Sequence, residues 1–322
     1  MPQVLVLFGP TASGKTEILE QLFTGIDPLC RAEVVSADSM QVYRGMDIGT
    51  AKPEADLRQR LPHHLIDIRN PDEQFNAGDF VRLADEACAD IVRRGGLPVV
   101  SGGTGFYLRN FVLGLPETPP SNPRIRDQVQ EELHRRGMAA LIEELTACDP
   151  ASAARIHPND TYRLARALEV FRTSGRPLSS YAPTAAAARP QYRFLIIGLE
   201  RNREEVYRRI NERCALMFRR GLPEEVARLH AAGYNPGDPG MKAIGYREFF
   251  TEETPGVWRL SADLANVETL IARNSRRYAK RQITFFASIS GVTWISTAEE
   301  LRRELNKGKR SKEEKNMPPK WY

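Results

Sequence analysis

Residues Gly9, Pro10, Thr11, Ala12, Ser13, Gly14, Lys15 and Thr16 read GPTASGKT and match G-x-x-x-x-G-K-[ST] at every specified position, a set suited to holding a phosphate or diphosphate. The two glycines let the backbone turn tightly, so that successive N–H groups point into one concavity, and a following helix would add its positive N-terminal end. Lys15 would place a point charge on the terminal phosphate oxygens, and the Thr16 hydroxyl would bind a phosphate-bridging Mg²⁺. A ligand-free glycine-rich turn is the plainer alternative. The context argues against it, because VLVLF from Val4 to Phe8 reads as a buried strand and Glu17 to Phe23 has helical spacing.

The elements that would position further chemistry follow in order. A second apolar run, Glu33 to Ala37, ends at Asp38, Ser39, Met40 and Gln41, and in an open parallel sheet the ligand lies outside the carboxyl ends of the strands. Asp38 should therefore face the phosphate loop, where a carboxylate can position metal-bound water or take a proton from a nucleophile; it can equally cap the next segment. Tyr43 to Pro53 reads as an ordered loop. His64 to Ile68 is a third strand, Ala77 to Arg94 an amphipathic helix ended by Gly95 and Gly96, and Leu97 to Ser101 a fourth strand. A second glycine-rich turn, Gly102 to Gly105, follows it and brings Thr104 to the same cleft. Adjacent His63 and His64 would point to opposite faces of a strand, which favours structural roles over metal ligation.

From about Pro116 to Pro190 the pattern turns helical between two proline-rich stretches, as in an inserted domain, and Phe194 to Leu199 then resumes strand character. Helices are expected over 124–136, 139–148, 163–173, 203–220, 223–232 and about 261–286, with a last strand at 292–295. The fold class is therefore α/β, a parallel sheet core flanked by helices and interrupted by a small helical domain. The divisions expected are 1–115 and 191–300 for the two parts of the core, 116–190 for the insertion and 301–322 for a basic, disordered tail.

The 322 residues carry a net charge of +5. Residues 301–322 alone contribute eight Lys/Arg against three Glu, so residues 1–300 sum to zero and a polyanion partner must be argued from local clusters. Arg273, Arg276, Arg277, Lys280 and Arg281 recur at helical spacing, with Tyr278 and Gln282 among them, and Arg208, Arg209 and Arg213 form a similar row. Such rows are either solvated faces or surfaces for a polyanion. Four well-separated cysteines without a C-x-x-C pair suggest neither zinc nor disulfides. No run approaches a membrane span and the N-terminus enters a strand at once, so a cytoplasmic, membrane-free protein is expected.

Taken together these blocks resemble the tRNA dimethylallyltransferases, the isopentenyl-tRNA transferase family. The resemblance rests on GPTASGKT, SADSMQVYRGMDIGTAKP from Ser36, PHHLIDI from Pro62, SGGTGFYL from Ser101, ARIHPNDTYRLARALEV from Ala154, GMKAIGYRE from Gly240 and YAKRQITFF from Tyr278, colinear over nearly the whole chain. It implies a phosphate-loop core crossed by a channel, a helical insertion gripping the anticodon stem-loop, and transfer of a dimethylallyl group from dimethylallyl diphosphate to the exocyclic amine of the adenosine just 3′ of the anticodon.

The resemblance also implies roles by position. Thr11 to Thr16 would hold the diphosphate with Arg213 facing it, and Asp38 would accept the proton from the attacking amine. Ser39, Met40, Gln41, Thr104 and Arg126 would contact tRNA near the reacting centre. Tyr162, Arg163, Leu164, Ala165 and Arg166, then Lys242, Ala243, Ile244, Gly245, Tyr246 and Arg247, then Arg277, Lys280, Arg281 and Gln282, match tRNA-contacting segments. Phe285-Phe286 departs from the tryptophan-phenylalanine of many members, and the eukaryotic C-terminal zinc finger has no counterpart. The expected enzyme is a Mg²⁺-dependent monomer. An ATP-dependent kinase of a nucleoside or small metabolite is the alternative that the phosphate loop alone would allow.

Overall fold

The computed structural model describes residues 1–25, 28–116, 118–157, 159–181, 189, 191–289 and 291–310. The expectation for 311–322 and most of the linker Ala182 to Pro190 lie outside them. Two compact units emerge, Met1–Leu113 with Ala188–Tyr322, and Gly114–Ala187.

The first unit is built on β1 (Gln3–Phe8). Its residues from Val4 to Phe8 are fully buried. An apolar run covered on both faces belongs inside a parallel sheet, and that is where β1 lies. Val4, Val6 and Phe8 enter one core cluster and Leu5 and Leu7 the other, following the two-residue period of a strand. After β1 come α1 (Lys15–Phe23), β2 (Ala32–Ser36), α2 (Ala55–Arg60), β3 (His63–His64), α3 (Ala77–Arg93), β4 (Leu97–Gly102) and α4 (Gly105–Leu113). The chain re-enters this unit with β5 (Arg193–Leu199). With β8 (Thr293–Ile295) at its far edge, the six-stranded sheet has the order β3-β2-β4-β1-β5-β8, every pairing parallel, with Leu5 opposite Val99 on one side and Leu195 on the other.

The second unit holds α5 (Pro123–Cys148), α6 (Pro150–Ala153) and α7 (Thr161–Ser174) around Val129, Leu141, Leu145, Leu164 and Leu168. Gly137 at φ 78° breaks α5 where two helices were expected.

Within the first unit again, α8 (Arg203–Arg219), α9 (Leu222–Ala231), a hairpin of β6 (Phe250–Thr254) and β7 (Val257–Leu260), α10 (Leu264–Ala287), β8 (Thr293–Ile295) and α11 (Ala298–Arg310) follow among the described residues. Helices α3, α4, α8 and α10 cover one face of the sheet, and α1 and α11 the other.

Three differences from the sequence reading have local causes. The third strand stops after His64 because Leu65 and Asp67 take left-handed φ values of 62° and 58°, and Asp67 turns to pair with Lys52 and Arg58. The hairpin was not anticipated; its turn at Pro255-Gly256 uses Gly256 at φ 81°. Residues 301–310, expected as disordered tail, are helical: Thr297 and Glu300 cap α11 reciprocally, and Leu301 and Leu305 are buried on the sheet.

Candidate active site

The phosphate loop leaves β1 and enters α1 through Gly14, which sits at φ 92°, while Ala12 is held at φ 61°. A side chain at Gly9 would come within 2.8 Å of Ser13 Oγ. Beside this loop lies a cavity of about 530 Å³, lined by Thr11 to Glu17, by Asp38 and Gln41 beyond β2, by Ser101 to Gly103 at the end of β4, by Arg209, Arg213 and Arg219 on α8, and by Tyr278 and Gln282 on α10. The carboxyl ends of neighbouring parallel strands thus open on one site, as in other open parallel sheets.

Lys15 folds back over the loop, donating to the carbonyls of Gly9 and Pro10 at 2.9 Å each. Lys15 is half-buried, and its pKa settles at about 8, pulled down chiefly by burial and a little by Arg213, with Asp38 opposing both. Arg213, lowered by burial and opposed by Asp38, donates to Thr11 Oγ1 at 3.4 Å. Arg209 is already engaged, with the Ala12 carbonyl at 3.2 Å and with Glu17 at 2.8 Å. Lys15 and Arg213 therefore share one carboxylate, Asp38, because Glu17 and Glu212 on the same cavity wall are taken by Arg209 and Arg208. A diphosphate would supply the missing negative charge.

Asp38 Oδ1 accepts from the N–H groups of Met40 and Gln41 at 2.9 and 3.3 Å, so the carboxylate caps the following turn and also faces the cavity. Thr104 Oγ1 accepts from Ser39 N–H at 3.0 Å and ties the second glycine-rich turn to this segment. Gln41 is fixed on both sides: its Oε1 accepts from Ser36 at 2.9 Å and its Nε2 donates to the carbonyls of Thr50 and Ala51 at 3.3 Å. Tyr278 is pushed up to about 12, first by burial and then by Asp38.

Thr16 is exposed at the start of α1 on the cavity wall, and its hydroxyl has no partner among the described residues. The described residues hold no cluster of three or more His, Cys, Asp or Glu able to cage a metal. One hydroxyl and one carboxylate beside a phosphate cradle are the donors that suit Mg²⁺, which keeps much of its water and is completed by substrate phosphates.

Of the residues expected to touch tRNA, Leu164, Ala165, Ala243, Gly245 and Tyr246 are buried and do not line the cavity, while Gln282 is buried on its wall. Leu164 and Ala165 pack in the core of the second unit, and the Tyr246 hydroxyl donates to buried Glu225 at 2.6 Å. Glu225 in turn accepts from the N–H groups of Asp47, Ile48 and Gly49, so this carboxylate organises the loop that holds Gln41. In the second unit Arg166 pairs with Glu169 and donates to the Pro119 carbonyl, Arg126 lies 3.7 Å from the same Glu169, and Tyr162 and Arg163 are exposed. Lys242 and Arg247 are exposed and Ile244 half-buried. Exposed Arg277, Lys280 and Arg281 line a separate open concavity with Thr284 and Phe285.

The sequence reading passed over Arg209 and Tyr278 as site residues. Each lies four residues before a cavity residue that it did name, Arg213 and Gln282, and so on the same helical face. His64 is structural, bonded to Glu33 at 2.8 Å beside Arg94, while His63 lines the cavity as a half-buried imidazole whose pKa is lowered chiefly by desolvation.

Residues 41–289 match the model of a family described as IPP transferase. The chain belongs to the IPP transferase family. Among its relatives, the tRNA dimethylallyltransferase of Geobacter sulfurreducens is 44% identical over 91% of both chains, and tRNA dimethylallyltransferase 1 of Pelobacter propionicus 42% identical over 94% of both. Two solved structures share the family fold. The tRNA isopentenylpyrophosphate transferase of Bacillus halodurans is 34% identical with a TM-score of 0.65, covering 96% of this chain and 99% of that one. A eukaryotic dimethylallyltransferase acting on tRNA is 25% identical with a TM-score of 0.74, covering 96% of this chain and 77% of that one.

Proposed function

We propose that this IPP transferase moves a dimethylallyl group from dimethylallyl diphosphate to the exocyclic N6 amine of the adenosine 3′-adjacent to the anticodon in tRNA. The observation that carries the reading is the single cavity in which the phosphate loop, Lys15 and Arg213 face the Asp38 carboxylate. An exocyclic adenine amine is a weak nucleophile, so the site must make diphosphate leave easily and hold the allylic carbon in line with nitrogen. Loop amides, Lys15 and Arg213 stabilise the charge that grows on the diphosphate as the carbon–oxygen bond breaks. Asp38 takes the amine proton as the carbon–nitrogen bond forms. The products are N6-(dimethylallyl)adenosine and diphosphate. Mg²⁺ held by Thr16 and the diphosphate oxygens would supply further charge stabilisation.

The adenosine must leave the anticodon stack to react, at a cost of a few kcal/mol recovered by stacking and base-edge contacts. Gln41, whose N–H bonds Asp38, and Ser39, whose N–H bonds Thr104, would receive the adenosine together with Thr104. Exposed cations, Arg277, Lys280, Arg281, Lys242 and Arg247 in the first unit and Arg163 in the second, would meet tRNA phosphates. No described helix is long and apolar enough to cross a membrane. With tRNA as substrate, the reading is of a cytoplasmic monomer.

The test is reconstitution with purified protein, Mg²⁺, unmodified tRNA and dimethylallyl diphosphate. Mass spectrometry should show one added five-carbon unit on that adenosine and release of diphosphate without any nucleotide. A phosphoryl group on an acceptor, or a requirement for ATP, would establish a kinase instead.

A further inference from the structure

Gln282 sits among the basic residues of α10 in sequence, yet its side chain is buried between the two glycine-rich turns. Its Oε1 accepts from the N–H of Thr11 at 2.9 Å, and its Nε2 donates to the carbonyl of Gly103 at 2.8 Å. Gly103 is built to receive it, since a Cβ there would come within 2.5 Å of Nε2. The neighbouring turns of α10 press on the same region. Tyr278 lines the cavity one turn earlier, and Phe286 stacks at 4.5 Å on Phe8, the residue just before Gly9. Likewise a Cβ on Gly105 would meet the ring of Phe285 at 2.4 Å. Arg277, Lys280 and Arg281 of the same helix are exposed.

We propose that Gln282 is a positioning residue for the diphosphate rather than a reader of RNA. The bridge needs a side chain that accepts at one atom and donates at the other, and at this length only glutamine does both: ionised glutamate cannot donate, and lysine and arginine cannot accept. Because the Thr11 N–H is spent on Gln282, Thr11 meets the ligand through its hydroxyl. That oxygen accepts from Arg213 and keeps its own proton to donate to a diphosphate oxygen. The amide thus fixes the first turn of the loop against the second glycine-rich turn, and with it the aim of the Thr11 hydroxyl and of Arg213.

The inference rests on the reading that the loop holds the diphosphate. The test compares wild-type protein with Gln282→Met, which keeps the length and loses both bonds, and with Gln282→Glu, which loses the donor and sets an anion beside the ligand. Binding of dimethylallyl diphosphate with Mg²⁺ should weaken about five- to tenfold in Gln282→Met, the worth of one hydrogen bond to the ligand, and more in Gln282→Glu. KM for dimethylallyl diphosphate should rise in step, while tRNA affinity stays within about twofold of wild type. A merely structural role would lower both affinities together. Should Gln282→Met fail to fold, Gly103→Ala pushes on the same amide with Gln282 in place and should give the same selective loss. Unchanged diphosphate affinity in the variants, or a loss confined to tRNA, overturns the assignment. A wild-type protein that binds no dimethylallyl diphosphate instead overturns the reading of the loop.

Discussion

Lys15 should make diphosphate binding take up a proton in mildly alkaline solution. In the free protein burial holds its pKa near about 8, against an ordinary value of 10.5. Between these values the unfolded chain carries a proton that the folded chain lacks, so folding stability rises with pH across the window. The cost of the buried ammonium is complete below about pH 8 and comes to about 3 kcal/mol. A diphosphate seated on the loop favours the charged form and draws the pKa back up. At about pH 9, where most free protein has a neutral Lys15, binding should therefore take up close to one proton. Dimethylallyl diphosphate, a diphosphate monoester, has no proton left to release at that pH, so the uptake belongs to the protein. Calorimetry in buffers of different ionisation enthalpy measures it directly. Lys15→Met should abolish the uptake and most of the affinity. The stability difference between wild type and variant should also change by about 3 kcal/mol as pH passes from the lower to the upper end of the window. Binding without proton uptake, or a stability difference flat with pH, would show that the ammonium is not desolvated and that this account of the loop is wrong.

Other outcomes follow from the same geometry. Asp38→Asn should bind both substrates and lose about 10²- to 10⁴-fold in single-turnover rate, and a matching loss of diphosphate affinity would sink the division of roles between Asp38 and Lys15. Arg277→Ala with Lys280→Ala should weaken tRNA binding and make log affinity less steep in log salt by about one ion per contact removed, whereas an unchanged slope would return this row to a solvated face. Tyr246→Phe should cost about 1.5–3 kcal/mol of stability, measured by denaturant titration, because Glu225 loses its hydroxyl partner. Leu301→Ala should cost about 2–5 kcal/mol by the same method, since that side chain is fully buried; a neutral result would make the last helix dispensable.

Much of the site was legible because the phosphate loop, Asp38 and the second glycine-rich turn announce themselves by residue type, and a parallel sheet brings the ends of its strands together without further information. What the sequence hid were groups whose role depends on which way a helix faces. Gln282 and Arg281 are neighbours in the chain, but one is buried against Thr11 and the other exposed, and composition treats them as one basic patch. Tyr246 lies in a block that resembles an RNA-contacting segment, yet its hydroxyl serves Glu225, a residue no motif singled out. The last helix was lost in a charge count from residue 301, although Thr297 and Glu300 carry a capping-box spacing and Leu301 and Leu305 recur one turn apart. Counting charge over a window erases the period that marks a buried face.

The buried cations also bear on why a phosphate loop can serve a reaction that transfers no phosphoryl group. In a kinase the loop cradles a nucleotide whose terminal phosphorus is attacked, and the rest of the nucleotide must be bound as well. Here the loop would hold the whole leaving group, so the charge to be stabilised appears on oxygens already in contact with loop amides. Lys15 and Arg213, both held below their ordinary pKa by burial, face a single carboxylate in the free protein. They gain most when the diphosphate becomes more negative, which happens as the allylic carbon departs. Interactions that strengthen along that coordinate lower the barrier rather than merely tighten substrate binding. Asp38, on the same wall, is the counter-ion that limits this imbalance in the free protein and, on the proposed reading, would also be the base that receives the amine proton. A protonated Asp38 no longer offsets the two cations, so proton transfer and diphosphate stabilisation reinforce each other within one cavity.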